Sequence, residues 1–254
     1  MNTLKFLGTA GARFVMIKQL RSSGGLWLSI EGKNIMIDPG PGSLVRCSCS
    51  RPKLDPTKLD AIIVTHKHLD HTGDLNVMIE AMTEGGFKKR GLLFVPGDAI
   101  NDDGPVVLKY LHNFPEEIII LKEGGKYSLN KIHFSTPKLH IHRVETYGLN
   151  FKIDGEDIIS IISDTKYFDG IEKYYPGKTL VINVVLLEVN LNLDHLSIPE
   201  VKEIIKKAKP KRAIITHFGM KMILAKPWEI AERLTAELGI EVIAARDGME
   251  IELD

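Results

Sequence analysis

The chain has 254 residues, 44% apolar and 26% charged, with 33 basic and 33 acidic side chains and a net charge of zero. That length suits one large domain or two small ones, and zero net charge removes the bulk electrostatic case for a nucleic-acid or anionic-membrane binder. No apolar run approaches the ~20 residues of a membrane span, and MNTLKFLGTAGARF lacks the basic-then-apolar layout of a secretory signal, so a cytoplasmic location is the expectation.

LKFLG (4–8) reads as a first strand. The GTAGARF stretch is a glycine-rich loop without the G-K-[ST] of a phosphate cradle. LWLSI and NIMID, joined by Glu31-Gly32-Lys33, read as a hairpin ending at Asp38. Cys47 and Cys49 stand too close to bridge and are too few for a zinc knuckle, so they read as reduced thiols in a loop. AIIV (61–64) has the look of a strand buried on both faces, and THKHLDHTGD follows it.

Leu75, Met78, Ile79 and Met82 recur at helical spacing, and Gly85-Gly86 stops that helix. LLFVP (92–96) is another strand, and Pro105 opens a short helix through Leu111. From Glu117 to Ile162 the pattern is mostly strands, with a hairpin turn at Asp154-Gly155. LVINVVLLEV (180–189) reads as one more buried strand. Ser197 and Glu200 form a capping-box pattern for a helix to about Ala208, whose end is solvated by Lys206, Lys207, Lys209, Lys211 and Arg212. AIIT (213–216) runs into His217, Pro227 to Leu238 is a helix stopped by Gly239, and a last hairpin closes the chain. The order suggests one α/β domain, 1–254, with helices outside its sheets.

The chemistry concentrates in Thr65 to Asp74. His66 and His68 are two apart, so on extended backbone both imidazoles reach one cation. Asp70 and His71 follow and face a second cation beside it. Imidazole with carboxylate suits zinc, and also iron or manganese. The remaining ligands must come from other strand ends. Asp164 after IISIIS and His217 after AIIT are candidates, and so are His140 and His142 in LHIHRVETYG, which spacing alone does not separate.

THKHLDH resembles the signature of the metallo-β-lactamase superfamily, and nearly all 254 residues follow that family's motif order. Asp38 in MIDPG looks like its first motif, His66, His68, Asp70 and His71 like the second, Asp164 in SDT like the fourth and His217 in THFG like the fifth. RVETYG after His142 resembles the third motif of phosphodiesterase members, which favours His142 over His140. The resemblance implies a four-layer αββα sandwich carrying two divalent metal ions. His66, His68 and His142 would hold one ion, Asp70, His71 and His217 the other, and Asp164 would lie between. Zinc is expected, with manganese or iron as alternatives. Zinc β-lactamases place cysteine where this chain has Asp164, so that activity is excluded. The implied enzyme is a metal-dependent hydrolase working through a metal-bound hydroxide.

FLGTAG resembles the opening of tRNase Z and its small phosphodiesterase cousins, and DHLS resembles their H-x-S/T element. By that likeness His195 binds phosphate or protonates the leaving oxygen, and Asp70 and His195 are the catalytic residues. Asp38 and Glu188 would support ligands from behind, and Arg21 and Ser22 would line the substrate mouth. tRNase Z carries a long arm between its third and fourth motifs, whereas 21 residues separate His142 from Asp164 here. The expected substrate is therefore a small phosphodiester or nucleotide, with nucleic acid, and so a tRNase Z-like endoribonuclease, less favoured. A thioesterase or lactonase on the same metals is the other alternative. No membrane partner is expected. The natural substrate, the metal and the oligomeric state, a homo-oligomer included, are not decided by the sequence.

Overall fold

A computed structural model describes residues 2–101 and 104–253. The first half contains β1 (Asn2–Phe6), α1 (Ala12–Lys18), β2 (Leu26–Ile30), β3 (Lys33–Ile37), α2 (Ser43–Cys49), β4 (Ala61–Ile63), α3 (Leu69–Thr72), α4 (Leu75–Met82), β5 (Leu92–Val95), α5 (Asp98–Asn101) and β6 (Glu117–Ile120). The second half contains β7 (Gly125–Leu129), β8 (Ile132–Thr136), β9 (Leu149–Ile153), β10 (Glu156–Ile162), β11 (Thr179–Asn183), α6 (Ile198–Ala208), β12 (Arg212–Thr216), α7 (Met220–Leu224), α8 (Pro227–Leu238), β13 (Glu241–Ala244) and β14 (Glu250–Leu253).

These strands make two seven-stranded mixed sheets, ordered β14-β1-β2-β3-β4-β5-β6 and β13-β12-β11-β10-β9-β8-β7. Side-chain alternation explains the layering. In β3, Ile35 and Ile37 enter the core between the sheets, whereas Met36 joins the layer under α4. In β12, Ile214 faces the other sheet, whereas Ala213 and Ile215 pack beneath α6 and α8. A strand covered on both faces has no polar side, which is why AIIV and AIIT read as unbroken apolar runs. The result is a four-layer αββα sandwich, the architecture that the resemblance implies.

Parallel pairings run from β3 through β6 and from β10 through β13. Their carboxyl ends carry Asp38, the Thr65–Asp74 stretch, Asp164 and His217. The Asp154-Gly155 turn is tight, with φ of 50° and 86°, so β9 and β10 meet with no inserted arm.

Several expectations need correction. The last two strands are not a hairpin: β13 pairs β12 in one sheet and β14 pairs β1 in the other. Both pairings bury edges that a hairpin would leave open. The strand expected over 180–189 stops at Asn183, because the chain must leave the sheet to reach Asp194 and His195. No helix opens at Pro105; a 3-10 turn occupies Lys109–Asn113 and the short α5 precedes it. Ala12–Lys18 is helical, not loop, and so is the cysteine segment.

Both cysteines are free, Cys47 buried and Cys49 exposed on α2. Burial, with Asp74 adding to it, pushes the Cys47 thiol up to about 12. Iodoacetamide at pH 8 should label Cys49 in the native protein and reach Cys47 only after denaturation, as peptide mass spectrometry would show; equal labelling of both in the native state would contradict the packing of α2.

Candidate metal centre

The site starts from one carboxylate. Asp38 follows β3 in the left-handed region, φ 52°, which turns its side chain toward the end of β4. It accepts the Thr65 N–H at 2.7 Å and the Thr65 hydroxyl at 2.7 Å. His71 Nδ1 stands 2.9 Å from the same Asp38 carboxylate. A carboxylate can only accept, so Nδ1 carries the proton and a neutral His71 presents a bare Nε2 to the cluster. Asp38 therefore holds His71 from the side away from the cluster.

The one-turn α3 is capped by His68, in extended backbone, and brings the His71 ring to 4.0 Å, centroid to centroid, from that of His66. His217 sits in the left-handed region, φ 61°. Its loop is clamped by paired backbone bonds, Gly11 N–H to the Phe218 carbonyl at 3.0 Å and Phe218 N–H to the Thr9 carbonyl at 2.8 Å. A Cβ on Gly11 would stand 2.0 Å from the His217 carbonyl oxygen, so only glycine fits there.

Three triads of donor atoms come within 4.8 Å of one another: His66–His68–His142, His66–His71–Asp164 and Asp70–His71–His217. His142 Nε2 lies 3.1 Å from His68 Nδ1, and His71 Nε2 lies 3.3 Å from His217 Nε2. Two donors on one tetrahedral zinc, each about 2.0–2.1 Å from it, stand about 3.3 Å apart. His66 Nε2 is buried without a hydrogen-bond partner. An orphaned nitrogen aimed at a carboxylate cluster is what a divalent cation would satisfy, so the donor set fits.

His142 and not His140 joins the cluster. His142 Nδ1 donates to the Asp194 carbonyl at 2.9 Å, which frees Nε2. His140 is buried elsewhere, its Nδ1 3.2 Å from the Asp164 carbonyl and its Nε2 against the Tyr175 hydroxyl. Asp164 Oδ2 is the hub: His217 Nε2 and His195 Nδ1 each lie 3.4 Å away, His71 Nε2 3.7 Å and His66 Nε2 4.0 Å. Burial would raise the Asp164 pKa, but His217, His195 and His71 outweigh it and hold it well below the ordinary value. Burial would likewise depress His71, yet Asp38, Asp70 and Asp164 raise it well above. His66 is held well below its ordinary value, first by burial, and His68 is lowered to about 4.

Three expected residues sit differently. Glu188 is exposed on the wall of the cleft, not behind a ligand, because its strand ended five residues earlier. Asn183 stands behind Asp164, donating from Nδ2 to Asp164 Oδ1 at 2.9 Å; its sequence signal is a polar residue at the end of an apolar strand. Arg21 is used internally, donating to the Thr9 hydroxyl at 2.9 Å and the Ala245 carbonyl at 3.2 Å, over the Phe218 ring. The Ser22 N–H goes to Asp247 at 2.8 Å. Both residues brace the loop under His217 and lie outside the cleft, which is lined at its floor by His68, His142 and His195 and has a volume of about 650 Å³.

Residues 33–218 match the family model described as the beta-lactamase superfamily domain. The chain belongs to that superfamily. It is a metal-dependent hydrolase. An uncharacterized protein of Methanocaldococcus jannaschii is 30% identical, the alignment covering 98% of this chain and 94% of that one. A ribonuclease Z of Borrelia garinii subsp. bavariensis is 24% identical, covering 98% and 96%. Its alignment runs over 315 positions against the 254 of this chain, so the relative carries segments absent here. Among solved structures, the metallo-beta-lactamase fold protein YhfI from Bacillus subtilis superposes with a TM-score of 0.80 at 17% identity, covering 98% of each chain. A diphosphatase from the PhnP family gives 0.73 at 19% identity, covering 100% of this chain and 98% of that one. Among the described residues no helix is long and apolar enough to cross a membrane.

His140 sets a pH dependence. Burial lowers its pKa to about 4, against about 6.5 unfolded. A depressed value means that the unfolded chain takes up a proton the folded one refuses as pH falls below about 6.5. Its contribution is full above that pH and is lost progressively toward pH 4. In the metal-stripped protein, urea midpoints should fall across this window, and the fall should be shallower in His140→Gln. Parallel profiles would show that His140 is not held neutral by the fold.

Proposed function

We propose that the chain is a dinuclear phosphodiesterase acting on a small phosphodiester or nucleotide, with zinc in at least one site. His66, His68 and His142 would hold one ion, Asp70, His71 and His217 the second, and Asp164 would contact both. The supporting observation is the Asp164 carboxylate itself: four imidazole nitrogens surround one oxygen within 4.0 Å, where a thiolate would serve a different chemistry. Bound there, the ions supply Lewis acidity and lower the pKa of an attacking water.

The protein groups do the rest. Asp38 and Asn183 fix His71 and the Asp164 carboxylate, so the cluster needs little reorganisation. Asp70 adds a second carboxylate facing His71 and His217, at 3.9 and 3.6 Å. His195 makes no contribution to the three triads, yet it borders the cleft beside Asp164. It is placed to contact the phosphate or to hand a proton to the leaving oxygen. Burial lowers its pKa and the Asp164 carboxylate opposes that.

A small substrate is favoured over tRNA by the tight β9–β10 turn, the zero net charge and the extra segments of the ribonuclease Z relative. A polyanion binder needs a basic footprint.

Zinc-loaded protein should turn over bis(p-nitrophenyl) phosphate and hold up to two ions per chain by mass spectrometry of the metals. Asp164→Ala should lose both occupancy and rate, because two neighbouring cations then repel with no carboxylate between them. Full occupancy and rate in that variant would remove the bridge from the scheme. His195→Ala should keep its metals and lose ~10²–10⁴ in rate, less with nitrophenolate as leaving group than with an alkoxide. An equal loss across leaving groups would assign His195 to phosphate binding, and no loss would shift the substrate toward thioesters or lactones.

A further inference from the structure

Part of the cleft above the metal cluster is apolar, beside the charged and polar groups that line the rest of it. One wall is Phe14 of α1; the other is the 184–196 segment, which presents Val185, Leu187, Val189 and Leu193. Phe14 is 64% exposed, Val189 50% and Leu193 38%. Large apolar side chains left facing water at the mouth of a catalytic cleft mark a binding surface.

This wall is built, not loose. The Leu186 N–H donates to the Leu196 carbonyl at 3.1 Å, and the Ile198 N–H to the Leu186 carbonyl at 3.1 Å, pinning both feet of the segment. Lys166 Nζ holds its tip at the Leu191 carbonyl, 2.7 Å away. Charge in the cleft is nearly balanced. Arg13, Arg143 and Lys221 line it together with Glu188 and Asp194, and Arg143 pairs with Asp194 at 3.9 Å. The surplus suits one phosphodiester charge, not a chain of them. A volume of about 650 Å³ matches a single small molecule.

We infer that the substrate is a phosphodiester with one apolar ester arm, hydrocarbon or aromatic, lying between Phe14 and the 184–196 segment while the phosphate meets His195 and the metal cluster. This rests on the phosphodiesterase reading and narrows it. A sugar laid against Val189, Leu193 and Phe14 would find no hydrogen-bond partner there, while Glu188, Asn190 and Asp194 on the same segment make adenosine monophosphate the rival ligand to test.

The test reads binding, so it does not depend on turnover. Methyl, octyl and phenyl phosphate and adenosine monophosphate are titrated into zinc-loaded protein by calorimetry. Octyl phosphate should bind at least about tenfold more tightly than methyl phosphate, since each buried methylene strengthens binding severalfold. Phenyl against octyl then tells an aromatic arm from a hydrocarbon one. In the double variant Phe14→Ser with Leu193→Ser, at exposed positions that leave the core intact, the octyl-to-methyl ratio should fall below about threefold. Equal binding of octyl and methyl phosphate, an unchanged ratio in the double variant, adenosine monophosphate binding tighter than both apolar ligands, or no binding by any of the four would overturn the inference. If the octyl preference holds while bis(p-nitrophenyl) phosphate is not turned over, the apolar subsite stands and the phosphodiester chemistry is what fails.

Discussion

One buried carboxylate oxygen governs this molecule. Asp164 Oδ2 sits among four imidazole nitrogens, and water has little access to any of them. Such a cluster is costly to bury without a compensating positive charge. In the metal-free chain that demand appears as a His71 pKa raised well above its ordinary value by Asp38, Asp70 and Asp164, and as an orphaned His66 nitrogen. The same demand makes the site a trap for divalent cations. The sandwich supplies the stiffness that keeps these groups from relaxing apart.

That stiffness comes from the ends of parallel strands. Each strand delivers polar residues as it leaves the sheet: Asp38 after β3, Thr65 and His66 after β4, Asp164 after β10, His217 after β12. The apolar bodies of those strands are buried on both faces, so their ends move little. Glycines then let the loops close over one another. Gly11 admits the His217 backbone, and Gly40, where a Cβ would lie 2.2 Å from the Asp70 carbonyl, admits the α3 turn. Catalytic precision here depends on missing side chains as much as on present ones.

The cleft above this rigid floor has a different character. Its walls come from α1 and the long 184–196 segment, neither belonging to the sheets. Relatives with the same fold carry names as different as ribonuclease Z and diphosphatase.

Much of the histidine–aspartate cluster was legible in the sequence because its information is local. H-x-H-x-D-H places imidazoles by strand geometry, and an apolar run ending in Asp or His marks a buried strand emerging at the site. The same holds for the capping box at Ser197, where the backbone N–H does reach Glu200 at 2.8 Å, and for the turn at Asp154-Gly155. Choosing His142 over His140 needed family resemblance first and the fold afterwards, since two histidines two residues apart differ only in what packs against them. What tertiary structure alone decided is long-range. Arg21 turned inward because Thr9 and Ala245 offer acceptors from distant parts of the chain. Glu188 moved to the cleft wall because its strand had to end early, and Asn183 took the place behind Asp164. The last two strands parted into different sheets because each found an edge to cover, β12 in one and β1 in the other. Periodicity and spacing report what a residue does to its near neighbours; which distant partner it meets is settled only when the two sheets close on each other.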